Sequence, residues 1–327
     1  MALALSDHWV WDFWFAVDGE DTHMFFLQAA RTLGDPELRH WNVSIGHAVS
    51  RNLIDWQPRK PILAPAQHSD APDSCTTWTG SVVRHKRQWV MFYTGTSQVE
   101  DGKIQRICRA TSHDLDHWQR CEAVAAAVHD PSHYEVFDPN SWHDQSWRDP
   151  WVVRDPADGR FHMFITSRSA HGPADGRGAI AHAISDDLEH WETRPPVLAP
   201  GWFGEMEVPQ VERIGNHWYL FCAVSARYHS QAAQRELPGP ARTGTIYFIA
   251  DRLTGPFRAL PDPFLHGDAH GSLYAGRLLR VQDQWLFFAF RNRDPDGRFI
   301  GEISDPMPVR QHPDGSLSLE REPAEAC

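Results

Sequence analysis

Cysteine is scarce in this chain: Cys75, Cys108, Cys121, Cys222 and Cys327 are all there is in 327 residues. The number is odd and no C-x-x-C pair occurs, which excludes a disulfide framework or a zinc ribbon and reads as reduced thiols. Long apolar runs are missing too. Nothing approaches the ~18 residues of a membrane-spanning helix. The first residues, MALALSDHWVWDFW, have no basic start, no sustained apolar stretch and no small-residue cleavage site, so no signal peptide is expected. The expectation is a cytoplasmic protein with no membrane partner. Positive charge is outweighed, with 31 Lys and Arg against 43 Asp and Glu and a net charge of −12. That argues against a nucleic-acid partner, which needs a basic stripe. The 20 histidines contain no H-E-x-x-H pattern, so neither a catalytic metal nor a cofactor is expected.

What the chain has is repetition. One strand-like segment occurs five times: THMFFLQA (22–29), QWVMFYTG (88–95), RFHMFITS (160–167), HWYLFCAV (217–224) and QWLFFAFR (284–291). Each is rich in aromatic and β-branched residues between polar turns, as a strand should be. A Phe holds the same place in all five: Phe26, Phe92, Phe164, Phe221 and Phe288. A second segment follows each copy. In IGHAVSRNLIDW (45–56), ICRATSHDLDHW (107–118) and IAHAISDDLEHW (180–191) it carries S-x-x-L-x-x-W, and it is looser in IYFIADRLTGPF (246–257) and IGEISDPMPV (300–309). A third segment precedes each copy: VWDFWFAVD (10–18), WTGSVVRH (78–85), RDPWVVRD (148–155), EVPQVERI (207–214) and YAGRLLRV (274–281). Five meandering units with no convincing helix predict an all-β fold, a five-bladed β-propeller forming one domain over residues 1–327. The Trp and Phe residues that end the second segments are expected between blades.

Counting back from the shared Phe locates carboxylates. Asp12 lies 14 residues before Phe26, Asp149 lies 15 before Phe164, and Glu207 lies 14 before Phe221. If one residue of hairpin length absorbs the difference, the three acids share one register point on the strands that line the propeller axis. In blades 2 and 5 the same count lands on Trp78 and Tyr274, and Trp9, Trp11, Trp14, Trp147 and Trp151 are close in sequence. Acids beside aromatic rings suit a sugar site. Crowded carboxyl groups cannot all ionise freely, so at least one pKa should rise. A carboxyl pair with separated pKa values is what glycoside hydrolysis uses. Taken singly, each acid reads more readily as a strand-end residue paired with Arg148 or a similar group; the three together point to a site.

At these residues the chain resembles glycoside hydrolase families 32 and 68, the fructofuranosidase and levansucrase clan, with family 43 as a close relative. VWDFW (10–14) is similar to the family 68 nucleophile segment V-W-D-x-W, and HMFFLQ (23–28) to a family 32 strand ending in a substrate-contacting Gln. HWNVSIGHAVSRNLIDW (40–56) resembles W-x-x-x-x-G-H-A-x-S-x-D-L-x-x-W, WTGS (78–81) resembles W/F-S-G-S, and WRDP (147–150) contains R-D-P. MEVPQV (206–211) resembles E-C-P or E-R-P, and SLYAGRLL (272–279) resembles the F-Y-A segment. The resemblance implies Asp12 as nucleophile, Glu207 as general acid/base and Asp149 as a stabiliser of sugar hydroxyls. It implies substrate contacts from Trp11, Gln28, Trp41, Trp78, Ser81, Arg148 and Tyr274. The chain departs from the family pattern in lacking N-D-P-N around Asp12 and in carrying Val208 after Glu207. It also ends soon after blade 5, so no C-terminal β-sandwich is expected.

The resulting expectation is a retaining glycosidase acting on terminal fructofuranosides, with a small carbohydrate as its partner. An inverting arabinofuranosidase or xylosidase of the family 43 kind is the alternative, and a catalytically silent sugar-binding propeller is a third. Glu205, two residues before Glu207, is a second candidate acid, and His270 is a loop residue near the axis. The polar segment 226–245 reads equally as a rim loop or as a mobile insertion.

Overall fold

The computed structural model describes residues 3–121 and 126–320. Five antiparallel sheets follow one another along the chain. Their innermost strands are His8–Asp18, Thr76–His85, Trp147–Arg154, Glu207–Ile214 and Leu273–Val281, and each pairs with the strand after it. The fold is a five-bladed β-propeller. The second strands are the five MFF-like segments, and they are buried on both faces. That is why they read as unbroken apolar runs rather than as alternation. The shared Phe residues are at most 1% exposed.

The repeated S-x-x-L-x-x-W is a turn with a mechanism. The hydroxyls of Ser50, Ser112 and Ser185 each accept the backbone N–H of Leu53, Leu115 and Leu188 at 2.9 Å. Those leucines take left-handed backbone angles, φ 64°, 66° and 67°. The turn swings the following Trp onto the preceding blade. Trp118 meets Phe25 edge-on at 5.7 Å and Trp191 meets Phe92 at 5.5 Å. Blade 5 differs, because two short strands, Phe299–Ile303 and Met307–Gln311, share its second strand. The ring closes where Ile303 N–H donates to Leu3 O at 2.8 Å. One short α-helix, Gln231–Glu236, falls inside the polar segment 226–245. Cys75, Cys108, Cys121 and Cys222 are unpaired, and Cys327 lies outside the described residues. Among the described residues no helix is long and apolar enough to cross a membrane.

The inner strands expose one edge to the axis, and a bare edge leaves N–H and C=O groups without partners. Side chains from neighbouring blades meet them. Those opposite the shared Phe in blades 2 to 5 reach the next blade in turn. Ser81 Oγ accepts Val152 N–H (3.1 Å) and Trp151 Nε1 donates to Val211 O (3.3 Å). Gln210 bonds both N and O of Leu278 (2.8 Å each), and Arg277 Nε donates to Phe13 O (3.3 Å). These links run head to tail from blade 2 to blade 1.

Two buried histidine pairs sit between the second and third strands of blades 1 and 3. His23 Nδ1 lies 2.9 Å from His47 Nε2, and His162 Nδ1 lies 2.9 Å from His182 Nε2. Burial lowers all four, His47 and His182 to about 3, against the smaller opposite pull of Asp116 on His23 and of Asp158 on His162. The folded chain keeps them neutral while the unfolded chain protonates near 6.5. Their contribution is therefore present above that pH and is lost as pH falls. The melting temperature is expected to drop from pH 7 to pH 5. A His47→Gln/His182→Gln variant should lose part of that slope; an unchanged slope would assign the dependence elsewhere.

Candidate active site

Every inner strand carries a β-bulge at the same end of the axis. The register slips between Trp11 and Phe13, Trp78 and Gly80, Glu207 and Gln210, and Tyr274 and Arg277; in blade 3 it slips opposite Phe164–Thr166. A bulge inserts a residue and re-aims the side chains around it. Asp149, Val208 and Ala275 take positive φ there, 57°, 55° and 48°. Such angles are rare without glycine and outlying for a β-branched residue such as valine. Hydrogen bonds to the preceding blade hold Val208 and Asp149. Val208 N–H donates to Asp149 Oδ2 and Thr166 Oγ1, both at 3.1 Å, and Asp149 N–H donates to Thr94 Oγ1 at 2.8 Å.

The three acids do line one cavity, but not by sharing a register point. Phe13, Trp151 and Gln210 stand opposite the shared Phe. Asp12 is one residue before that position, Asp149 two and Glu207 three. The hairpins differ by more than the count allowed. Blade 3 turns through six residues, 155–160, where blade 4 uses only Gly215 and Asn216, and blade 1 has an extra ladder pair. Glu207 is the structural counterpart of Arg148, Trp78 and Tyr274, all paired two residues beyond the shared Phe. The bulges, not a common register, bring the carboxylates together.

The cavity measures about 510 Å³, within the range of small-molecule sites. Asp12, Asp149, Glu207 and Arg148 line it, with Trp11, Trp41, Trp78 and Tyr274. Asp12 Oδ2 accepts the Thr79 hydroxyl at 2.5 Å. Arg148 Nη2 donates to Glu205 Oε1 at 2.8 Å and to Glu207 Oε1 at 2.9 Å. The Tyr274 hydroxyl donates to the other oxygen of Glu207. Burial raises Asp12, opposed by Thr79 and Arg277 and reinforced by Glu207. Burial pushes Asp149 up to about 7 against the pull of Arg148, with Asp12 and Glu207 adding to the rise. Burial alone would discharge Arg148, but Glu205 and Glu207 hold it charged. The site thus has carboxyl groups of unlike environment around the buried Arg148 cation, an arrangement suited to paired acid and nucleophile chemistry.

Two expected contacts are elsewhere. Ser81 is 2% exposed and serves the Val152 link instead of the cavity. Gln28 is 6% exposed, bonds Ser44 Oγ at 3.3 Å, and is absent from the cavity wall. Trp9, Trp14 and Trp147 are buried in the blades, and Trp151 is turned to blade 4. Glu205 is on the wall but is 3% exposed and tied to Arg148.

The walls come from loops that the repeats did not point to. The 3-10 segment Pro36–Trp41 supplies Arg39 and His40. Burial, then Arg39, lowers His40 to about 3, so its ring is neutral. Trp78 Nε1 donates to His40 O at 3.0 Å, and the Trp41 ring lies 6.0 Å from Trp78. Gly102 presses on Trp41: a Cβ there would sit 2.5 Å from the indole. The segment 226–245 reaches the cavity through Arg227 and Tyr228, so it is a rim element, and His270 also lines the wall. His143, Asp144 and Glu205 bring possible ligand atoms within 4.8 Å of one another. Arg148 already occupies Glu205, a cation where a metal ion would add a second. H-x-x-x-H spacing occurs at His113/His117, His129/His133 and His266/His270, but none of the three stretches is helical.

Residues 15–155 match the Glycosyl hydrolases family 32 N-terminal domain. Over that span the chain is similar to glycoside hydrolase family 32. The matched span includes Arg148 and Asp149 but neither Asp12 nor Glu207. The chain is 30% identical over 191 residues to the raffinose invertase of Escherichia coli, covering 56% of this chain and 34% of that one. It is 25% identical over 244 residues to an invertase of Schizosaccharomyces pombe, covering 70% and 36%. The chain thus spans about a third of the length of these curated relatives. Among solved structures it is similar to the inulosucrase from Halalkalicoccus jeotgali bound to kestose. There the TM-score is 0.77 and the identity 21%, with 96% of this chain and 87% of that chain covered. That likeness bears on the fold, and it agrees with the five sheets described above.

Proposed function

We propose that this chain is a glycoside hydrolase that releases terminal fructofuranosyl groups from sucrose or short fructo-oligosaccharides with retention. The observation that carries the reading is the meeting of Asp12, Asp149 and Glu207 in one aromatic-walled cavity, with Arg148 and Tyr274 on Glu207. The relatives named above, both invertases, support the substrate class. Asp12 attacks the anomeric carbon from the blade 1 bulge. Glu207 gives a proton to the leaving oxygen, then takes one from the water that releases the sugar. Asp149 holds sugar hydroxyls, and Arg148 bridges Glu205 and Glu207 and fixes the position of the latter.

The test is a panel of sucrose, short fructans, arabinosides and xylosides with the purified protein, following the first-formed anomer by NMR. Fructose released first with its configuration retained supports the proposal. Arabinose or xylose released with inversion points to the family 43 kind of chemistry, and binding without turnover to a silent sugar-binding propeller. Either would overturn it.

A further inference from the structure

Arg277 belongs to none of the roles above. It lies on the inner strand of blade 5, 1% exposed, in the ring of side chains opposite the shared Phe. Its Nε donates to Phe13 O at 3.3 Å, and Phe13 follows Asp12 in the chain. Its Nη1 donates to Pro209 O at 2.6 Å and Val208 O at 3.4 Å, in the residues that follow Glu207. Its guanidinium carbon lies 5.0 Å from the centre of the Trp151 ring, and Nη2 has no partner. One side chain thus braces the bulges of blades 1 and 4 and packs on blade 3.

Hydrogen bonding alone does not account for an arginine here. A neutral donor could reach a carbonyl without the cost of burying a full charge, which is several kcal/mol for an ion without compensation. The negative charge of nearby acids offsets part of that cost. Asp149, Asp12 and Glu212 each favour its charged form. The interaction is mutual. Arg148, the cation on the other side, is occupied by Glu205 and Glu207.

We propose that Arg277 is a positioning residue, which ties the Asp12 bulge to blade 4 and places a fixed positive charge beside it that favours the Asp12 carboxylate over its protonated form. The idea rests on the reading of Asp12 as the nucleophile. Burial lowers Arg277 to about 10, which leaves it charged at neutral pH. The other groups that act on Asp12 divide. Glu207 of blade 4 and Asp149 of blade 3 favour its protonated form, while the Thr79 hydroxyl of blade 2, which donates to it, and the Arg39 guanidinium favour its charged form as Arg277 does; the charge of Asp12 in turn raises Tyr274. Glu212 of blade 4, raised by burial to about 7, faces Arg277 from beside Gln210.

The experiment is a carboxyl 13C titration of aspartate-labelled protein, with the Asp12 signal assigned by its loss in Asp12→Asn. It compares the unaltered chain with Arg277→Met and Arg277→Lys. Methionine is expected to raise the Asp12 midpoint by about one pH unit, and lysine to leave it near its original place. With an active enzyme the acid limb of kcat/KM moves by the same amount while KM changes little. An unmoved midpoint in Arg277→Met overturns the proposal. So does a rise in Arg277→Lys equal to that in Arg277→Met. If Arg277→Met does not fold, Arg277→Gln takes its place, with the same raised midpoint expected and an unmoved one overturning the proposal. Absence of any fructoside hydrolysis by the unaltered chain refutes the proposed function, not the field of Arg277, since the titration needs no turnover.

Discussion

Asp12→Ala is expected to lower kcat on the best fructoside by roughly four orders of magnitude or more, the usual result when a covalent nucleophile is deleted. Folding should survive. Asp12 is the residue inserted in its bulge, and its oxygen accepts one hydroxyl, that of Thr79. Removing the acid relieves the repulsion with Glu207 and the burial of a charge that raises Asp12. The variant is therefore expected to melt no lower than the parent and to bind sugar with little loss. Calorimetric binding beside single-turnover rates makes the check. Full hydrolysis of every fructoside by Asp12→Ala would sink its assignment as nucleophile.

Glu207→Gln carries the second large effect, and leaving-group dependence is its signature. Loss of general acid catalysis costs about 10²- to 10⁴-fold on sucrose, whose leaving group needs a proton. An activated aryl fructoside, whose leaving group departs without one, should be far less affected in the first step. Glutamine retains an acceptor for Arg148, and its amide leaves Tyr274 and the Val208 bulge in place. Equal losses on both substrates would mean that the change disturbed the site's shape and not a proton transfer. The parallel Glu205→Gln variant should show no leaving-group dependence, because Glu205 is closed off behind Arg148.

The fold was legible because burial of the second strands on both faces imposes one apolar segment per blade, with the shared Phe as a ruler. The acids were found with that ruler, although the reason offered for their meeting was mistaken. A bulge leaves little trace in sequence when its positive φ falls on Asp149, Val208 and Ala275 instead of glycine. Ser81 was misread because a serine facing a neighbouring strand and a serine facing a sugar have the same motif around them. Arg277 escaped notice since its partners are backbone oxygens from two other blades, which no local pattern records. Part of the wall was also out of reach. Arg39, Lys103 and Asn292 come from a 3-10 turn, a loop and the end of a strand in three different blades, which meet only once the ring is closed.

The side chains that pair with the axis-facing edges reverse the usual gradient of protein motion. A sheet ordinarily frays at its unpaired edge. Here the amides of Val152, Val208 and Leu278 on that edge are held by the neighbouring blade, while the outermost strands of blades 1 and 2 are only two residues long. Hydrogen exchange is expected to be slowest around the axis and fastest at the perimeter and in the rim loops. On the proposed function, the reacting groups then sit on the stiffest part of the molecule and the groups that meet the rest of the sugar on the softest. Such a division lets the wall accommodate a new leaving group by changes in its loops, without disturbing the spacing of the carboxylates beneath.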